Sequence, residues 1–228
     1  MKNVAVLWSG GKDAMQTLHT LRQDASVQVT ALVATFWTPE LVITMHGTPA
    51  ALIAAQAEAL GVPLHRMTQP RGASNAVYEA RLQKTLAPLI DVGVTHVAAG
   101  DLHLADVRDY RAGLLQRIGV TPLFPLWDSS STACAEAFLA AGYAATICSV
   151  DPDRLKASWL GAPYDDAFLK ALPPEVDPCG EYGAFHTFVH DGPLFTQPVP
   201  FTRGAAYDEG PMRAIGLDLA ADENERAA

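Results

Sequence analysis

The sequence predicts an α/β protein with a Rossmann-like, doubly wound parallel sheet and a smaller C-terminal α+β domain. Strand and helix patterns alternate through roughly the first half of the chain, which is typical of crossover units on a parallel sheet. The predicted strands there are nearly continuously apolar, as expected when helices cover both faces of a sheet. After Trp127 the alternation gives way to loops rich in proline and glycine, followed by short strands.

The amino-acid composition is that of a folded globular protein. The 228 residues are 49% hydrophobic and 18% charged, which is ordinary for a globular protein. No apolar run approaches the ~18 residues that a membrane helix needs. The run from Val4 to Trp8 is too short for the apolar core of a signal peptide, so we expect a cytoplasmic protein with no membrane partner. The net charge of -9 argues against nucleic acid as a partner, because phosphate backbones attract basic surfaces.

The first domain is predicted to span residues 1–127. Strands are expected at residues 4–8, 27–36, 63–67, 95–99 and 122–126. Helices are expected between them, at residues 13–22, 49–60, 75–91 and 105–118. Glycines just beyond the last three helices, Gly61, Gly93 and Gly119, mark where those helices end.

The second domain is predicted over residues 128–219. A turn at residues 128–132 leads into a helix at 133–141 and a strand at 143–150, and loops follow at 151–183. Three short strands are expected at residues 185–190, 194–201 and 212–217, before a frayed tail at 220–228. Cys134, Cys148 and Cys179 form no CxxC pair, which argues against a disulfide framework.

The strongest motif is Ser9-Gly10-Gly11-Lys12-Asp13, between the first strand and the first helix. Ligands of open parallel sheets sit beyond the carboxyl ends of the strands. Two glycines allow a tight turn, and the backbone N–H groups at the start of a helix attract an anion. Lys12 is unfavourable for the helix dipole but suits a polyphosphate. The alternative is an ordinary strand-to-helix turn with a solvated lysine.

A second set of polar residues follows the fourth predicted strand. We call residues 9–13 the phosphate loop. Gly100-Asp101 should lie beside this loop if the fourth strand neighbours the first one across the switch in strand order. Arg108 and Arg111 are three residues apart and share one face of the next helix, where they could contact a phosphate or a carboxylate. The alternatives are a helix-capping aspartate and a solvated charged face.

In the second half, Glu181 stands in a glycine-rich loop and His186 lies on the strand that follows it. A glutamate in such a loop is a candidate base or substrate anchor. Cys179, His186 and His190 fit no standard zinc spacing. We expect the remaining histidines to be structural or solvated, with His46 the least certain of them.

The SGGKD loop resembles the pyrophosphate loop of the adenine nucleotide alpha-hydrolase superfamily. Over nearly the whole chain, the motifs resemble one of its PP-loop (ATP-pyrophosphatase) families, the diphthine–ammonia ligases. The matching segments are SGGKD at 9–13, MH at 45–46, GD at 100–101 with Arg108, PLFPLW at 122–127, WLG at 159–161, CGE at 179–181, FHT at 185–187 and DGP at 191–193.

The resemblance implies an ATP-dependent amide ligase that uses ammonia and Mg²⁺. An acceptor carboxylate would attack the α-phosphate, pyrophosphate would leave into the loop of residues 9–13, and ammonia would convert the acyl-adenylate into an amide and AMP. It assigns catalytic roles to Lys12, Asp101, Arg108, Glu181 and His186, with Asp13 as the Mg²⁺ ligand. Nucleotide binding is expected at the loop and Gly100, with Trp8, Thr35 and Phe36 framing the adenine.

Two departures from the family pattern concern the chemistry. Ala14 replaces the usual serine after the loop, and Ala184 replaces the second glutamate of the GExGE motif. The loss of the second glutamate at Ala184 leaves a non-catalytic adenine nucleotide sensor as one alternative. Sulfur transfer to RNA, which uses the same adenylating step, is another. The sequence leaves open the acceptor, which could be a protein side chain or a small molecule, and whether the chain forms a homo-oligomer.

Overall fold

The computed structural model describes residues 1–220, which form two β-sheets with helices packed around them. Of the predicted frayed tail, residues 221–228 lie outside the described part of the chain. No helix among residues 1–220 is both long and apolar enough to cross a bilayer.

The elements alternate as expected through the first half. The strands are β1 (Lys2–Leu7), β2 (Val27–Thr38), β3 (Val42–Ile43), β4 (Leu64–Pro70), β5 (His96–Ala98), β6 (Thr121–Leu123), β7 (Ala144–Val150), β8 (Phe185–Asp191), β9 (Phe201–Glu209) and β10 (Met212–Leu219). The α-helices are α1 (Lys12–Gln23), α2 (Ala50–Ala59), α3 (Asn75–Asp91), α4 (Ala105–Ile118), α5 (Ser131–Ala140) and α6 (Asp166–Ala171).

The first sheet is parallel except for the short strand β3. Strand β1 pairs in parallel with β2 on one side and with β5 on the other, β2 also pairs with β4, and β5 pairs with β6. The strand order is therefore β4-β2-β1-β5-β6, and it reverses between β1 and β5. The prediction that the strand before Gly100 neighbours the first strand is confirmed, which brings residues 100–101 to the start of α1.

Helices cover both faces of this sheet. On one face, Val4 and Val6 of β1 pack in a core with Met15 and Leu18 of α1. On the other face, Ala5 packs with residues of α3 and α4, among them Leu86 and Leu115. The alternating directions of side chains along β1 supply both cores, so the continuously apolar strands are explained by burial on both faces.

The second sheet is antiparallel, with the order β8-β7-β10-β9. One predicted strand is wrong: residues 194–201 are mostly irregular, and the strand runs from Phe201 to Glu209 instead. That segment contains Pro198 and Pro200, which cannot donate to a strand ladder. Helix α6 and strand β3 were not predicted, because both are too short for periodicity to reveal.

The predicted turn before α5 is confirmed as a capping segment. Ser130 is the N-cap residue, and its side chain accepts a hydrogen bond from the Ala133 N–H. The largest core cluster contains residues of both sheets, from Val4 through Phe138 to Val189. The two predicted domains are thus packed against each other through apolar side chains. We propose to keep their boundary at Trp127, where the alternating pattern ends.

Candidate functional site

A cleft of about 440 Å³ opens beyond the carboxyl ends of β1, β2 and β5. This is the switch point of the sheet, where open α/β folds bind their ligands. The lining comes from the first sheet, its helices and strand β8 of the second sheet. It consists of Leu7, Trp8, Ser9, Asp13, Ala14, Val33, Thr35, Ile43, Thr44, His46, Gln69, Tyr78, Ala99, Gly100, Asp101, Arg111 and His186.

Gly10 of the phosphate loop is required by the packing of its neighbours. Gly10 has φ +77°, and a Cβ there would lie 2.5 Å from Ile53 Cδ1 and 2.6 Å from Gln56 Oε1. The Gly10 carbonyl accepts hydrogen bonds from the Gln56 side chain and from the Val189 N–H of β8. Gly10 therefore joins α2 and the second sheet to the loop, and neither Gly10 nor Gly11 lines the cleft.

Two backbone N–H groups of the loop are already occupied, which differs from the expectation that they are free for an anion. The Gly11 N–H donates to Ser9 Oγ at 3.3 Å, and the Lys12 N–H donates to Thr187 Oγ1 at 3.0 Å. The next two residues of α1, Asp13 and Ala14, both line the cleft. Their N–H groups have no partner within the helix, so the start of α1 remains suited to an anion.

Lys12 does not extend into the cleft. Its side chain is 3% exposed, and its amine donates to both carboxylate oxygens of Asp13, at 2.9 and 2.8 Å, and to the Cys179 carbonyl. Burial opposes the charge, but Asp13 raises the pKa of Lys12 above its usual value overall. In this structure the neighbouring carboxylate therefore binds the Lys12 amine, and the role of Lys12 at the phosphates stays a prediction.

Asp13 is the residue expected to bind Mg²⁺. Burial raises its pKa, although Lys12 acts in the opposite direction. Residues 1–220 contain no group of three or more His, Cys, Asp or Glu side chains that could hold a metal. Mg²⁺ is commonly bound by one or two carboxylates together with substrate phosphates. Asp13 therefore fits a metal that is held jointly with a nucleotide, once its carboxylate releases Lys12.

Asp101 and Arg111 form an ion pair on the cleft lining, in which the Arg111 guanidinium donates to both carboxylate oxygens. Helix α4 begins after Leu104, so Asp101 is not its cap. Arg108, the arginine expected in the site, instead lies 4.0 Å above the Trp127 ring and pairs with the exposed Asp109. Arg108 is absent from the cleft lining, so Arg111 is the better-placed cation.

The cleft lining also contains side chains suited to a nucleotide base. Trp8 is buried and donates through Nε1 to Gln56 Oε1 at 3.0 Å, and both Trp8 and Thr35 line the cleft as expected for an adenine site. Phe36 is 1% exposed and lies in the main core instead. Successive residues of β2 point to opposite faces, so Thr35 and Phe36 cannot both face one ligand.

Two histidines stack on the cleft wall. The rings of His46, from the loop after β3, and His186, the second residue of β8, are 4.2 Å apart between centroids at an angle of 23°. Burial lowers the pKa of His46 to about 4, helped by the charge of Lys12 and opposed by the Thr187 backbone. Burial, His46 and Lys12 together hold the pKa of His186 well below its usual value.

Glu181 lies in a short 3-10 helix at residues 181–183, next to the Cys179 carbonyl that binds Lys12. Burial raises its pKa, and the charge of Asp13 adds to this effect. Glu181 does not line the cleft. The adjacent Tyr182 is exposed and has φ +62°, an unfavourable conformation for a residue with a side chain. The structure thus places Glu181 beside the lysine–aspartate pair rather than in the nucleotide cleft.

The two departures from the family pattern occupy different surroundings. Ala14 is on the cleft lining, where a serine would add a hydroxyl. Ala184 is 1% exposed and belongs to the main core, where a glutamate would be buried among apolar side chains. The segment around residue 184 is therefore built differently from one that presents a second glutamate to a ligand.

Several lining residues were not identified from the sequence. Gln69 lies at the carboxyl end of β4, and Tyr78 lies in the first turns of α3. The rule that parallel strands end at one edge of the sheet could have predicted Gln69. Tyr78 carried no such signal, because its position depends on how α3 packs.

The chain matches two family models. One, described as the diphthamide synthase N-terminal domain, matches residues 1–122, and the other, described as the diphthamide synthase C-terminal domain, matches residues 130–207. No curated protein matches the chain. A solved structure described as a predicted subunit of a tRNA methyltransferase from Methanocaldococcus jannaschii has a TM-score of 0.43 and 16% identity, covering 64% of this chain and 80% of that one. That similarity carries no functional argument. Because the two family models together span most of its length, the chain belongs to the diphthamide synthase family.

Proposed function

We propose that the protein is an ATP-dependent ligase that adenylates a carboxylate and converts it into an amide with ammonia. An oxygen of the acceptor carboxylate attacks the α-phosphorus of ATP, and the bond to the β-phosphate oxygen breaks to release pyrophosphate. Ammonia then attacks the acyl carbon, loses a proton, and expels AMP. The carboxylate oxygen that attacked phosphorus leaves with AMP.

The observation that carries this proposal is the position and lining of the cleft. It lies at the switch point of a parallel sheet, and its lining combines apolar side chains, among them Trp8 and Val33, with the start of α1 and the charged pair Asp101 and Arg111. Such a lining beside a helix N-terminus suits a purine nucleotide with its phosphates at the helix. Membership of the diphthamide synthase family supports the same reaction class.

The residues near the loop have separate roles in this proposal. Phosphates at the start of α1 compete with Asp13 for the Lys12 amine, so that Lys12 turns from the carboxylate to the leaving pyrophosphate. Mg²⁺ bound with the phosphates would neutralise part of their charge, with Asp13 as its protein ligand. Charge stabilisation at the leaving group is commonly the largest contribution to catalysis.

The acceptor is proposed to approach from the second domain, residues 128–219. Glu181 lies beside Lys12 and Asp13, on a loop of that domain. Burial raises the pKa of the Glu181 carboxyl group, which makes its carboxylate a stronger proton acceptor. We assign Glu181 to orienting the acceptor or accepting the proton that ammonia loses.

The test is an isotope-transfer experiment with ATP, ammonium and candidate acceptors whose carboxylates carry ¹⁸O. Adenylation predicts pyrophosphate release and one ¹⁸O atom in the AMP phosphate. Pyrophosphate release with unlabelled AMP would mean that water, not the carboxylate, attacks phosphorus. ATP binding with no pyrophosphate release for any acceptor would favour the sensor alternative.

The sulfur-transfer alternative needs a reactive thiol, and the structure offers poor candidates. Cys134, Cys148 and Cys179 are all buried. Burial raises the pKa of Cys148 and of Cys179 to about 12, so few thiolates form at neutral pH. A variant with all three cysteines changed to alanine is expected to keep ATP-dependent pyrophosphate release. Suppose instead that pyrophosphate release requires a sulfur donor and RNA, and that the folded triple variant no longer releases it. Sulfur transfer would then be the better explanation.

A further inference from the structure

The side chain of Gln56, on helix α2, is fully buried beside the phosphate loop. Its carbonyl oxygen accepts a hydrogen bond from Trp8 Nε1 at 3.0 Å. Its amide nitrogen donates to the Gly10 carbonyl at 2.9 Å and to the Val189 carbonyl at 2.5 Å. Both hydrogens of the amide are thereby used, since a side-chain amide has two donors. One side chain thus connects the residue after β1, the loop and strand β8.

Packing alone does not explain an amide at this position. Ile53 and Ala57, which neighbour Gln56 on the helix, both belong to the main apolar core. Burying an amide is unfavourable unless its hydrogen bonds are made. An apolar side chain of similar length, such as methionine, would fill the same volume without that cost, but it could not make the three hydrogen bonds. The role of Gln56 therefore lies in the groups that it binds.

The first of these groups is the indole of Trp8, which lines the cleft. An indole has one hydrogen-bond donor, Nε1, and this donor usually has a partner when the ring is buried. The Trp8 side chain is buried, and Gln56 is the partner of its Nε1. Gln56 therefore fixes the orientation of an aromatic ring on the cleft wall.

The second group is the Gly10 carbonyl, which also accepts a hydrogen bond from the Val189 N–H. In a trans peptide the C=O and the following N–H point in opposite directions. Two donors hold this carbonyl, and the Gly11 N–H on the other side of the peptide donates to Ser9 Oγ at 3.3 Å. Ser9 lines the cleft, and its hydroxyl can accept this bond and still donate its own hydrogen. Gln56 therefore acts on the phosphate loop as well as on the indole.

We propose that Gln56 is a positioning residue of the nucleotide site, which holds the Trp8 indole and the peptide after Gly10 in the orientation that binds a nucleotide. The proposal rests on the proposed function, in that the cleft must bind ATP. Gln56 does not line the cleft, so it acts through the groups that it binds. Because it also binds the Val189 carbonyl, the same amide ties the loop to β8 of the second sheet.

The test is isothermal titration of the whole protein with ATP, adenosine and pyrophosphate, each with Mg²⁺ present. Gln56→Met removes the three hydrogen bonds at similar side-chain length and should weaken ATP binding about tenfold or more. Adenosine and pyrophosphate should each bind about threefold or more weakly, because the ring and the loop both lose support. The matched control is Leu52→Ala, which opens a cavity on the same helix but in a different core cluster. It should bind all three ligands within about twofold of wild type.

Two further measurements separate positioning from packing. The Trp8 indole N–H signal in ¹H–¹⁵N spectra, identified by its loss in Trp8→Phe, should shift and exchange faster with solvent in Gln56→Met but not in Leu52→Ala. Gln56→Glu is the conservative variant, because a fully buried carboxyl group is held neutral. It keeps an acceptor for Trp8 and loses one of the two donors, so adenosine should bind within about twofold of wild type and pyrophosphate about threefold more weakly. This variant decides alone if Gln56→Met does not fold.

Wild-type ATP affinity in folded Gln56→Met would overturn the inference, as would wild-type pyrophosphate affinity in Gln56→Glu. Equal losses in Leu52→Ala would show that any loosening of α2 weakens binding, and an unmoved Trp8 signal in Gln56→Met would show that the ring does not depend on Gln56. Either result would also overturn it. If wild type binds none of the three ligands, the proposed function fails. If wild type and Gln56→Met bind ATP equally well, only this inference fails, so the two failures are distinguishable.

Discussion

The amine of Lys12 binds the carboxylate of the next residue, Asp13, through both of its oxygens. Both belong to the phosphate loop, and the pair is screened from solvent, with Lys12 3% and Asp13 30% exposed. The Lys12 amine is therefore already bound to a carboxylate, and an anion must displace Asp13 to bind Lys12. This relationship makes the loop testable through stability as well as through activity.

Lys12→Met is expected to destabilise the fold by about 2–4 kcal/mol, because it leaves a largely buried carboxylate without its partner. Adding Asp13→Asn should restore more than half of the loss, since the remaining side chains carry no charge. Urea denaturation of the single and double variants measures both effects. Lys84→Met, at an exposed position of α3, is the control and should cost less than about 0.5 kcal/mol. A double variant no more stable than Lys12→Met would contradict the ion-pair explanation.

Arg111→Ala is expected to weaken nucleotide binding about tenfold or more, because Arg111 is on the cleft lining. It also leaves Asp101 unpaired beside the phosphates, which adds repulsion. Arg108→Ala removes a side chain that stacks on Trp127 outside the lining, so we expect less than about a twofold change. Calorimetric titration of both variants with ATP compares them directly. A larger loss of ATP affinity in Arg108→Ala than in Arg111→Ala would indicate that Arg108, the arginine of the family motif, contacts the nucleotide.

The stability of the protein should fall between pH 6.5 and pH 4 partly because of His46. In the unfolded chain this histidine takes up a proton near pH 6.5, whereas in the folded protein its pKa is about 4. The unfolded state therefore binds more protons in that window, and stability rises with pH across it. The full effect is at most about 3 kcal/mol, and solvent screening of this half-buried ring reduces it.

The measurement is the free energy of unfolding of wild type and His46→Gln at several pH values. The difference between them isolates His46, because Asp13 and Glu181 titrate in both proteins. We expect wild type to lose roughly 1–3 kcal/mol more than the variant on acidification. If the free energies of unfolding of the two proteins change equally with pH, His46 is not buried in its neutral form.

Ala184→Glu is expected to destabilise the protein by several kcal/mol rather than to restore a catalytic group. Residue 184 is 1% exposed, and an unpaired carboxylate there would be costly. Ala14→Ser, on the cleft lining, should change stability by less than about 1 kcal/mol. Thermal unfolding compares the two variants. A fully stable Ala184→Glu protein with increased amide formation would contradict the structural assignment of residue 184.

Local sequence patterns were enough to predict the parallel sheet, the position of the loop at residues 9–13 and the pairing of β1 with β5. These follow from local periodicity, glycine positions and the connection rules for α/β folds, all of which act over short stretches of chain. It also placed Trp8, Ser9, Asp13, Thr35 and Asp101 near one cleft, because loops after parallel strands share one edge of the sheet. His186 was expected in the site from the family resemblance, since it lies on a strand of the second sheet.

Which side chains face the cleft depends on packing between distant elements. Lys12 and Phe36 turn inward, Arg111 rather than Arg108 lines the cleft, and His46 stacks on His186. Each outcome depends on side-chain direction and on how the second sheet packs against the loop, as in the hydrogen bond from Val189 to Gly10. Such long-range contacts leave no periodic signal in the sequence, since they are fixed by packing between elements that are distant along the chain.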